Sequence, residues 1–458
     1  MKGSAYRYYL LALLMVILAL NNADGLALGL ALQNIKFDLH LSDTQLGFLS
    51  GIAFTLFYAV MGIPIARWAD RGNRIAIITV TTALWSVMVA LCGRAVTFHQ
   101  LLLVRVGVAV GEAGCIPPAY SLIADHFSRG ERPRAVAIYL LGGNLSFVIG
   151  YLIAGQLNEI YGWRMMFLML GIPGLVPAAL AWFTLREPRG STHDGASKGS
   201  VRQVVHLEPS GSQASEPSPP LREVIRVLWD KVTFRHLLFS FAVASFFSSG
   251  VLQWLPAFFV RSYGIPTGRL GLWFGAIWGL GGLFGTYLGG ELASRLAANN
   301  ERLQLRAMAL AYCSFAVFSA LIYVAPTYPL ALGAMGIAVT GLAMTNGPVL
   351  ATIQTLVPAR MRATSIATIY LFSNLIGMGL GPLTVGALSD GLRSAFGQES
   401  LRYALLAMAP GYLWGGWHLW RGSKTVANDL EVEADQTVED GHMMAATSKR
   451  GDEAFGAL

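Results

Sequence analysis

The stretch Leu101–His126, LLLVRVGVAVGEAGCIPPAYSLIADH, is apolar enough to enter a lipid bilayer and yet carries Arg105 and Glu112. Seven residues correspond to two helical turns, so both charges lie on one face of a helix. A charged face within the bilayer is costly unless it faces protein or a water-filled cavity. The sequence therefore predicts that the function of the chain depends on this helix.

Small residues and prolines accompany these charges. Gly107, Gly111 and Gly114 lie on or beside the charged face, where they permit a neighbouring helix to approach closely. Pro117 and Pro118 interrupt the ladder of helical hydrogen bonds just beyond the carboxylate. We therefore expect the helix to be broken or bent at this point.

The composition of the whole chain indicates a membrane protein. Of its 458 residues, 54% are hydrophobic and 13% are charged, which is too apolar for a typical soluble enzyme. The net charge of +7 comes from Lys and Arg in short loops between apolar runs, and this distribution argues against nucleic-acid binding. Cys92, Cys115 and Cys313 lie in apolar segments without the spacing of a disulfide framework or a zinc site. We expect no metal or other cofactor.

Apolar segments of about 20 residues, the length that crosses a bilayer as a helix, occur in two groups of six. The first group covers residues 6–34, 44–68, 74–96, 99–124, 134–158 and 164–185. The second covers residues 235–261, 267–292, 303–325, 328–356, 364–388 and 401–420.

The segment between the two groups is rich in Ser, Gly, Pro and charge, and it ends in the amphipathic stretch LREVIRVLWDKV. The predicted organisation is an N-terminal six-helix bundle at 1–190, a cytoplasmic linker with an amphipathic helix at 191–233, a C-terminal six-helix bundle at 234–424 and a disordered cytoplasmic tail at 425–458.

The basic residues of the loops are unequally divided between the two sides of the membrane. The side shared by both termini is rich in arginine, so the positive-inside rule predicts cytoplasmic termini in a cell (inner) membrane. The main basic residues on the other side are Lys36, Arg94, Arg164, Arg261, Arg269, Arg393 and Arg402.

Short patterns repeat between the two halves. In the fifth span of each half, Tyr139, Leu140, Gly150, Leu152 and Gly155 recur with the same spacing as Tyr370, Leu371, Gly381, Leu383 and Gly386. In the second span, Gly51 and Arg71 recur as Gly275 and Arg295. Duplication of this kind is typical of a transporter that has its substrate site between two related bundles.

The layout and two local motifs resemble the major facilitator superfamily over about residues 6–422. The loop GIPIARWADRGNR, at 62–74, is similar to the signature loop of that family. The resemblance implies that an aspartate of this loop lies against a helix of the other half and that its arginines pair with an acid at the end of the fourth span. The implied cytoplasmic gate consists of Gly62, Asp70, Arg71, Arg74, Asp125 and Arg295.

Further motifs are similar to those of the Spinster-like branch of the family, whose animal members export sphingosine-1-phosphate or lysophospholipids. They include the pattern from Arg105 to Gly111-Glu112-Ala113, together with Gly162-Trp163-Arg164, Pro173-Gly174, Arg186-Glu187-Pro188, Trp254-Leu-Pro256 and Gly379-Leu-Gly381-Pro382. The implied fold is an all-α membrane protein with twelve transmembrane helices in two pseudo-symmetric six-helix bundles.

Carried over by position, the resemblance implies that Asp24, Glu112 and Arg105 handle protons. The branch usually has an Asp-Arg pair in its first span, whereas this chain has Asp24-Gly25. A different interpretation is that Glu112 and Arg105 form a static ion pair and that Asp24 is permanently neutral or hydrogen-bonded to a neighbouring asparagine.

Aromatic and polar residues within the spans are candidates for the wall of a substrate cavity, although such aromatics often only pack between helices. These candidates are Asn21, Tyr139, Asn144, Trp254, Phe258, Thr345, Asn346, Tyr370 and Asn374.

The predicted function is a proton-coupled secondary active transporter that moves an amphipathic, lipid-like small molecule by alternating access. No GxxxxGK[ST] loop is present, so an ion gradient is the expected energy source. A proton-driven transporter of a sugar, drug or organic anion is the alternative, and a membrane receptor or enzyme is a third possibility. The expected partners of a monomeric chain are the substrate, protons and membrane lipids, without nucleic acid.

Overall fold

The structure, a computed structural model, describes residues 2–128, 130–188, 221–297, 300–357 and 362–430. These residues contain helices and no strands. The helices form twelve spans, α1 to α12, which confirms the predicted layout of two six-helix bundles.

The N-terminal bundle contains α1 to α6. Their bounds are Lys2–Leu39 for α1, Asp43–Ser50 and Ile52–Arg71 for α2, Arg74–Cys92 for α3, and Phe98–Ala113 and Ile116–His126 for α4. Helix α5 begins with Arg132–Phe147 and a π-helical turn at Val148–Ile153, the run Ala154–Gly171 contains the end of α5 and the start of α6, and α6 closes with Leu175–Thr184.

The C-terminal bundle contains α7 to α12 and is preceded by a short linker helix, Leu221–Asp230. The bounds are Val232–Tyr263 for α7, Thr267–Ala276 and Gly282–Leu296 around a π-helical turn for α8, Glu301–Val324 for α9, Tyr328–Ala343 and Asn346–Thr355 for α10, Arg362–Phe396 for α11, and Ser400–Met408 and 411–430 for α12.

Helix α4 is broken where the sequence predicts a break, between Ala113 and Ile116. The glycines before the break bring α4 against α3, because a Cβ atom on Gly111 would lie 2.6 Å from the backbone nitrogen of Trp85. No larger residue fits that contact without moving a helix. The close approach fixes the face of α4 that carries the two charges.

Gly162 separates α5 from α6. Its φ of 77° and ψ of 165° lie in a region that is essentially restricted to glycine. The chain therefore reverses direction here without a long loop.

The internal repeat corresponds to symmetric packing between and within the bundles. A Cβ atom on Gly150 of α5 would lie 2.7 Å from the carbonyl oxygen of Ala23 in α1, and Gly381 of α11 makes the equivalent contact with α7. Gly155 of α5 packs on the start of α8, and Gly386 of α11 packs on the start of α2. The repeated glycines therefore bring α5 and α11 into contact with both bundles.

An even number of spans places both chain ends on one face of the molecule. We call this the terminal face, and we call the opposite face, which carries residues 39–43 and 264–267, the distal face. The polar contacts between the bundles that the structure describes cluster at the distal face.

Helix α12 continues to residue 430, so the predicted disordered tail at 425–458 begins too early. The reason is a contact between the bundle's two end helices. Asp429 accepts a 2.7 Å hydrogen bond from the backbone of Thr233 at the start of α7, and the hydroxyls of Thr425 and Thr233 are 2.7 Å apart. The remaining tail at 431–458 and the linker at 189–220 lie outside the described residues.

Candidate functional site

The charges of α4 meet a carboxylate from α1. Nη1 of Arg105 lies 2.5 Å from Oδ2 of Asp24, and both residues are only 2% exposed. The guanidinium also lies 5.2 Å from the ring centroid of Phe54 in α2. A buried ion pair of this kind requires good geometry to offset the desolvation of both groups.

Glu112 lies two turns from Arg105 on the wall of a cavity of about 400 Å³. Its Oε2 is buried and has no hydrogen-bond partner among the described residues, and the same holds for Nε of Arg105 and Nε2 of Gln253. Unpaired polar atoms in a buried site are uncommon and call for a ligand, a proton or water. Three residues of the cavity lining therefore each carry a buried polar atom without a partner among the described residues.

Residues of α1, α2, α4, α5, α7 and α11 line this central cavity, so it lies between the two bundles. The lining residues are Asn22, Gly25, Leu26, Leu28, Ser50, Phe54, Arg105, Glu112, Gly143, Ser146, Phe147, Leu252, Gln253 and Met378. Charged and amide groups are therefore combined with a larger apolar surface in one cavity.

Asp24 lies behind Arg105 and does not line the cavity. Gly25 does line it, and a Cβ atom at this position would meet nothing within 4 Å. The position at which the Spinster-like pattern has an arginine is therefore open space in this chain. The charge that faces the cavity comes from Arg105 and Glu112 alone among the lining residues.

The residues predicted to form the substrate cavity lie elsewhere wherever the structure describes their side chains. Tyr139 is 1% exposed and packs edge-on against Tyr120. Trp254 is fully buried and donates a 2.8 Å hydrogen bond to the carbonyl oxygen of Pro382. Phe258 is also fully buried among other rings. In this structure these aromatics pack between helices, a role that uses the same residue types as a ligand site.

The predicted polar lining residues whose side chains are described also lie outside the wall of the central cavity. Asn21 is 2% exposed and donates to Sγ of Cys115 at 3.5 Å. Asn144 and Asn374 are outside the lining set, while Thr345 borders a separate apolar pocket within the C-terminal bundle. The side chains of Asn346 and Tyr370 lie outside the described residues.

The predicted gate is, in part, a brace within the N-terminal bundle. Arg74 is fully buried at the start of α3, 2.6 Å from Asp125 at the end of α4, and it also pairs with Glu187 beyond α6. Ser121 accepts a further 2.8 Å hydrogen bond from its guanidinium. Glu187 was not assigned to the gate, because nothing local in the sequence connects it to Arg74.

The remaining gate residues do not join this cluster where they are described. Arg295 pairs with Glu291 on its own helix at 2.5 Å, and its side chain is 75% exposed, so the prediction that it gates against the other half is not met in this state. A Cβ atom on Gly62 would meet nothing within 4 Å. The side chains of Asp70 and Arg71 lie outside the described residues.

The distal face contains a charged inter-bundle cluster that sequence reasoning missed. Asp43 at the start of α2 is 1% exposed and accepts two hydrogen bonds from Arg261 of α7, at 2.6 and 2.7 Å. Lys36 and Ser389 bind the same carboxylate at 2.6 and 2.7 Å. We call these four residues the distal cluster. Lys36 and Arg261 belong to the few basic residues on this side, and that scarcity was the available signal.

Comparisons with known proteins agree with this geometry. The model of the Major Facilitator Superfamily matches residues 12–382. An MFS-type efflux pump of Mycolicibacterium smegmatis is 30% identical over 419 residues, covering 91% of this chain and 92% of that protein. Protein spinster homolog 1 of Xenopus tropicalis is 25% identical over 468 residues, covering 95% of this chain and 83% of that protein.

Among solved structures, a bacterial homologue of the human lysosomal transporter Spinster, in an inward-facing and unoccupied conformation, has a TM-score of 0.77 and 29% identity. The match covers 93% of this chain and 98% of that one. Two related bundles around a charged central cavity, together with these similarities, define a multi-pass membrane transporter. The chain belongs to the Major Facilitator Superfamily, and it is similar in sequence and structure to the Spinster proteins named above.

Proposed function

We propose that this transporter is a proton-coupled secondary active transporter that moves an amphipathic, lipid-like small molecule by alternating access. The observation that carries the proposal is that Glu112 lines the cavity beside the buried pair of Arg105 and Asp24, and that its buried Oε2 has no hydrogen-bond partner among the described residues. A carboxyl group that has no fixed partner and reaches a cavity can exchange a proton and contact a ligand in turn.

Arg105 is the group that connects the two carboxylates. It is paired with Asp24 and lies within electrostatic reach of Glu112. When Glu112 is ionised, one guanidinium faces two carboxylates and the three groups carry a net charge of −1, and when Glu112 is protonated, the remaining pair of Arg105 and Asp24 is neutral. The charge of the cavity wall thus changes by one unit with each proton, which biases the equilibrium between the two access states.

The lining of the cavity favours an amphipathic substrate. Arg105, Glu112 and Gln253 supply polar contacts at one part of the wall, and the phenylalanine, leucine and methionine side chains supply apolar surface. A volume of about 400 Å³ lies within the range of small-molecule sites. Because the cavity is built from one chain, we propose that a monomer is sufficient.

We further propose that the chain resides in the cell (inner) membrane with cytoplasmic termini, on the basis of its loop charges. With this orientation, the inter-bundle contacts at the distal face close the non-cytoplasmic side. The cavity would then be open to the cytoplasm, as in an inward-facing state.

The test uses proteoliposomes with an imposed pH gradient and a panel of lysophospholipids, sphingoid phosphates, sugars and organic anions. We expect gradient-dependent movement of a lipid-like substrate and co-movement of protons, detected by a pH-sensitive dye trapped in the liposome. Movement that ignores the gradient would refute proton coupling. Movement of sugars or organic anions alone would refute the lipid-like substrate.

A proton-driven transporter of a sugar, drug or organic anion is the second candidate. Arg105 favours an anion, because it is one of the residues that line the cavity and its positive charge attracts a carboxylate. The similarity to an MFS-type efflux pump favours export over uptake. The same substrate panel, extended by a set of hydrophobic drugs, separates these possibilities.

A further inference from the structure

A second pocket, separate from the central cavity, lies at the distal face and has a volume of about 250 Å³. Its walls come from both bundles. Helix α1 supplies Gln33, Lys36 and Phe37, and the C-terminal bundle supplies Val260, Arg261, Arg393, Gly397, Gln398 and Ser400. The pocket therefore exists in this form only while the distal ends of the bundles are in contact.

The walls of this distal pocket are strongly basic. Lys36, Arg261 and Arg393 line it, and none of the lining residues is acidic. Lys36 is within electrostatic reach of both arginines, so each arginine repels its ammonium group. The side chains of Lys36 and Arg261 are only 12% and 9% exposed, which limits screening by solvent.

The carboxylates near the pocket are already engaged. Asp43 binds Lys36, Arg261 and Ser389, as described for the distal cluster. Asp390 accepts hydrogen bonds from the first turn of α2. Glu399 binds Arg402 at 2.5 Å and Ser262 at 3.1 Å. These acids therefore do not supply a counter-ion for every cation of the pocket.

Donors remain available on the pocket walls. In the part of the chain that the structure describes, the guanidinium of Arg393 makes no ion pair or hydrogen bond. The ammonium of Lys36 donates one described hydrogen bond, to Asp43, although it has three hydrogens. The amide of Gln398 is exposed and also lines the pocket.

We infer that the distal pocket binds a compact oxyanion of the phosphate or sulfate class, free or as the head group of a lipid, and that this anion stabilises the closed distal face. Lys36 contacts it from the N-terminal bundle and Arg393 from the C-terminal bundle. The oxyanion is thus a bridge between the bundles, and the inference does not depend on proton coupling in the central cavity.

A ligand that binds only the closed state shifts the equilibrium between closed and open distal faces by a factor of one plus its concentration divided by its dissociation constant. At ten times the dissociation constant, the shift is about tenfold in favour of closure. An oxyanion on the distal side would therefore slow opening toward that side.

The first measurement is isothermal titration calorimetry of the purified full-length protein with sodium phosphate and with sodium sulfate. Sodium chloride at equal ionic strength is the control titrant. We expect saturable binding of both oxyanions, weakened roughly tenfold or more in Arg393→Gln and retained in part in Arg393→Lys. Arg269→Gln is the matched control, because Arg269 is an exposed distal arginine outside the pocket. Equal loss in the Arg269 variant, or absence of saturable binding together with no response to phosphatidylglycerol in nanodiscs, would overturn the inference.

The second measurement reports the state of the distal face. Spin labels on Val96 and Leu330, which are 64% and 60% exposed on opposite bundles, give a distance that grows when this face opens. Cys313 is replaced by serine, whereas Cys92 and Cys115 are buried and therefore inaccessible to the labelling reagent. Added phosphate should increase the short-distance population in the parent protein and not in Arg393→Gln. If phosphate binds saturably but leaves the distribution of label distances unchanged, the anion does not bridge the bundles.

The composition of the membrane distinguishes a free oxyanion from a lipid head group as the ligand. One arm uses nanodiscs of phosphatidylcholine with added phosphate, and the other uses nanodiscs that contain phosphatidylglycerol without free oxyanion. A shift in the first arm assigns a free anion, and a shift in the second arm assigns a lipid head group. If neither arm shifts the distance distribution, the inference fails.

Discussion

Glu159 and Asp390 occupy equivalent positions in the two halves, four residues beyond the repeated glycines of α5 and α11, and each caps a helix of the opposite bundle. Glu159 accepts a 2.6 Å hydrogen bond from the backbone nitrogen of Gly268 at the start of α8. Asp390 accepts bonds of 3.1 and 2.7 Å from the backbone nitrogens of Asp43 and Thr44 at the start of α2. Closure of the distal face therefore satisfies helix N-termini across the interface.

Removing either cap should favour opening of the distal face. Each of these carboxylates contributes about 1 kcal/mol to closure through capping and the helix dipole combined. Asp390→Ala and Glu159→Ala should therefore each raise the open-to-closed ratio about fivefold. The distance between labels on Val96 and Leu330 measures this ratio. Glu291→Ala, which removes a carboxylate from an exposed pair within one helix, is the control. An unchanged ratio in both cap variants would refute the role of these caps.

Replacing Glu112 by Gln should abolish transport driven by a pH gradient while substrate exchange remains measurable. Gln preserves the shape of the side chain but cannot gain or lose a proton, so the charge of the cavity wall no longer changes. The measurement compares gradient-driven uptake with exchange in the same proteoliposomes, with Glu291→Gln as the control. Full gradient-driven transport in Glu112→Gln would leave Asp24 as the sole candidate proton carrier.

Breaking the buried pair of Arg105 and Asp24 from one side should destabilise the protein. Arg105→Gln leaves a buried carboxylate without its partner, which costs about 3–5 kcal/mol. The double variant Asp24→Asn/Arg105→Gln removes both charges and should recover much of that loss. Thermal unfolding in detergent measures both effects. Additive losses in the double variant would show that the two residues are not coupled.

The brace around Arg74 should contribute to stability, whereas Arg295 should not. Arg74→Ala leaves Asp125 and Glu187 without their shared cation and should cost about 2 kcal/mol, a moderate value because Asp125 is partly exposed. Arg295→Ala removes an exposed pair on one helix and should cost less than about 0.5 kcal/mol. Comparison of the two unfolding temperatures tests this difference. Equal losses would show that the exposed pair is as important as the buried brace.

Gly162 should tolerate no substitution without loss of stability. At its φ of 77°, a residue with a side chain strains the backbone, even though nothing lies within 4 Å of the Cβ position. Gly162→Ala should therefore lower the free energy of unfolding by about 1–3 kcal/mol. Gly143→Ala is the control, because that helical glycine also has open space and no positive φ. A smaller loss at Gly162 than at Gly143 would contradict the strain argument.

The sequence by itself determined the twelve spans, the break in α4 and the repeated glycines of α5 and α11. These features depend on local properties: the length of apolar runs, the missing amide hydrogen of proline and the small size of glycine. The intramembrane position of Arg105 and Glu112 also identified part of the site, because charge within a bilayer requires a functional or paired environment. Hydropathy and spacing are sufficient for such inferences.

Only the tertiary structure decided which groups meet. Asp24 pairs with an arginine 81 residues away, and Asp43 with one 218 residues away. The sequence also could not separate cavity-lining aromatics from packed ones such as Trp254. In a soluble helix, polar residues mark the exposed face, but in a membrane the lipid-facing and buried faces are both apolar. The rotation of each span, and with it the lining of the cavity, is therefore set by packing between helices.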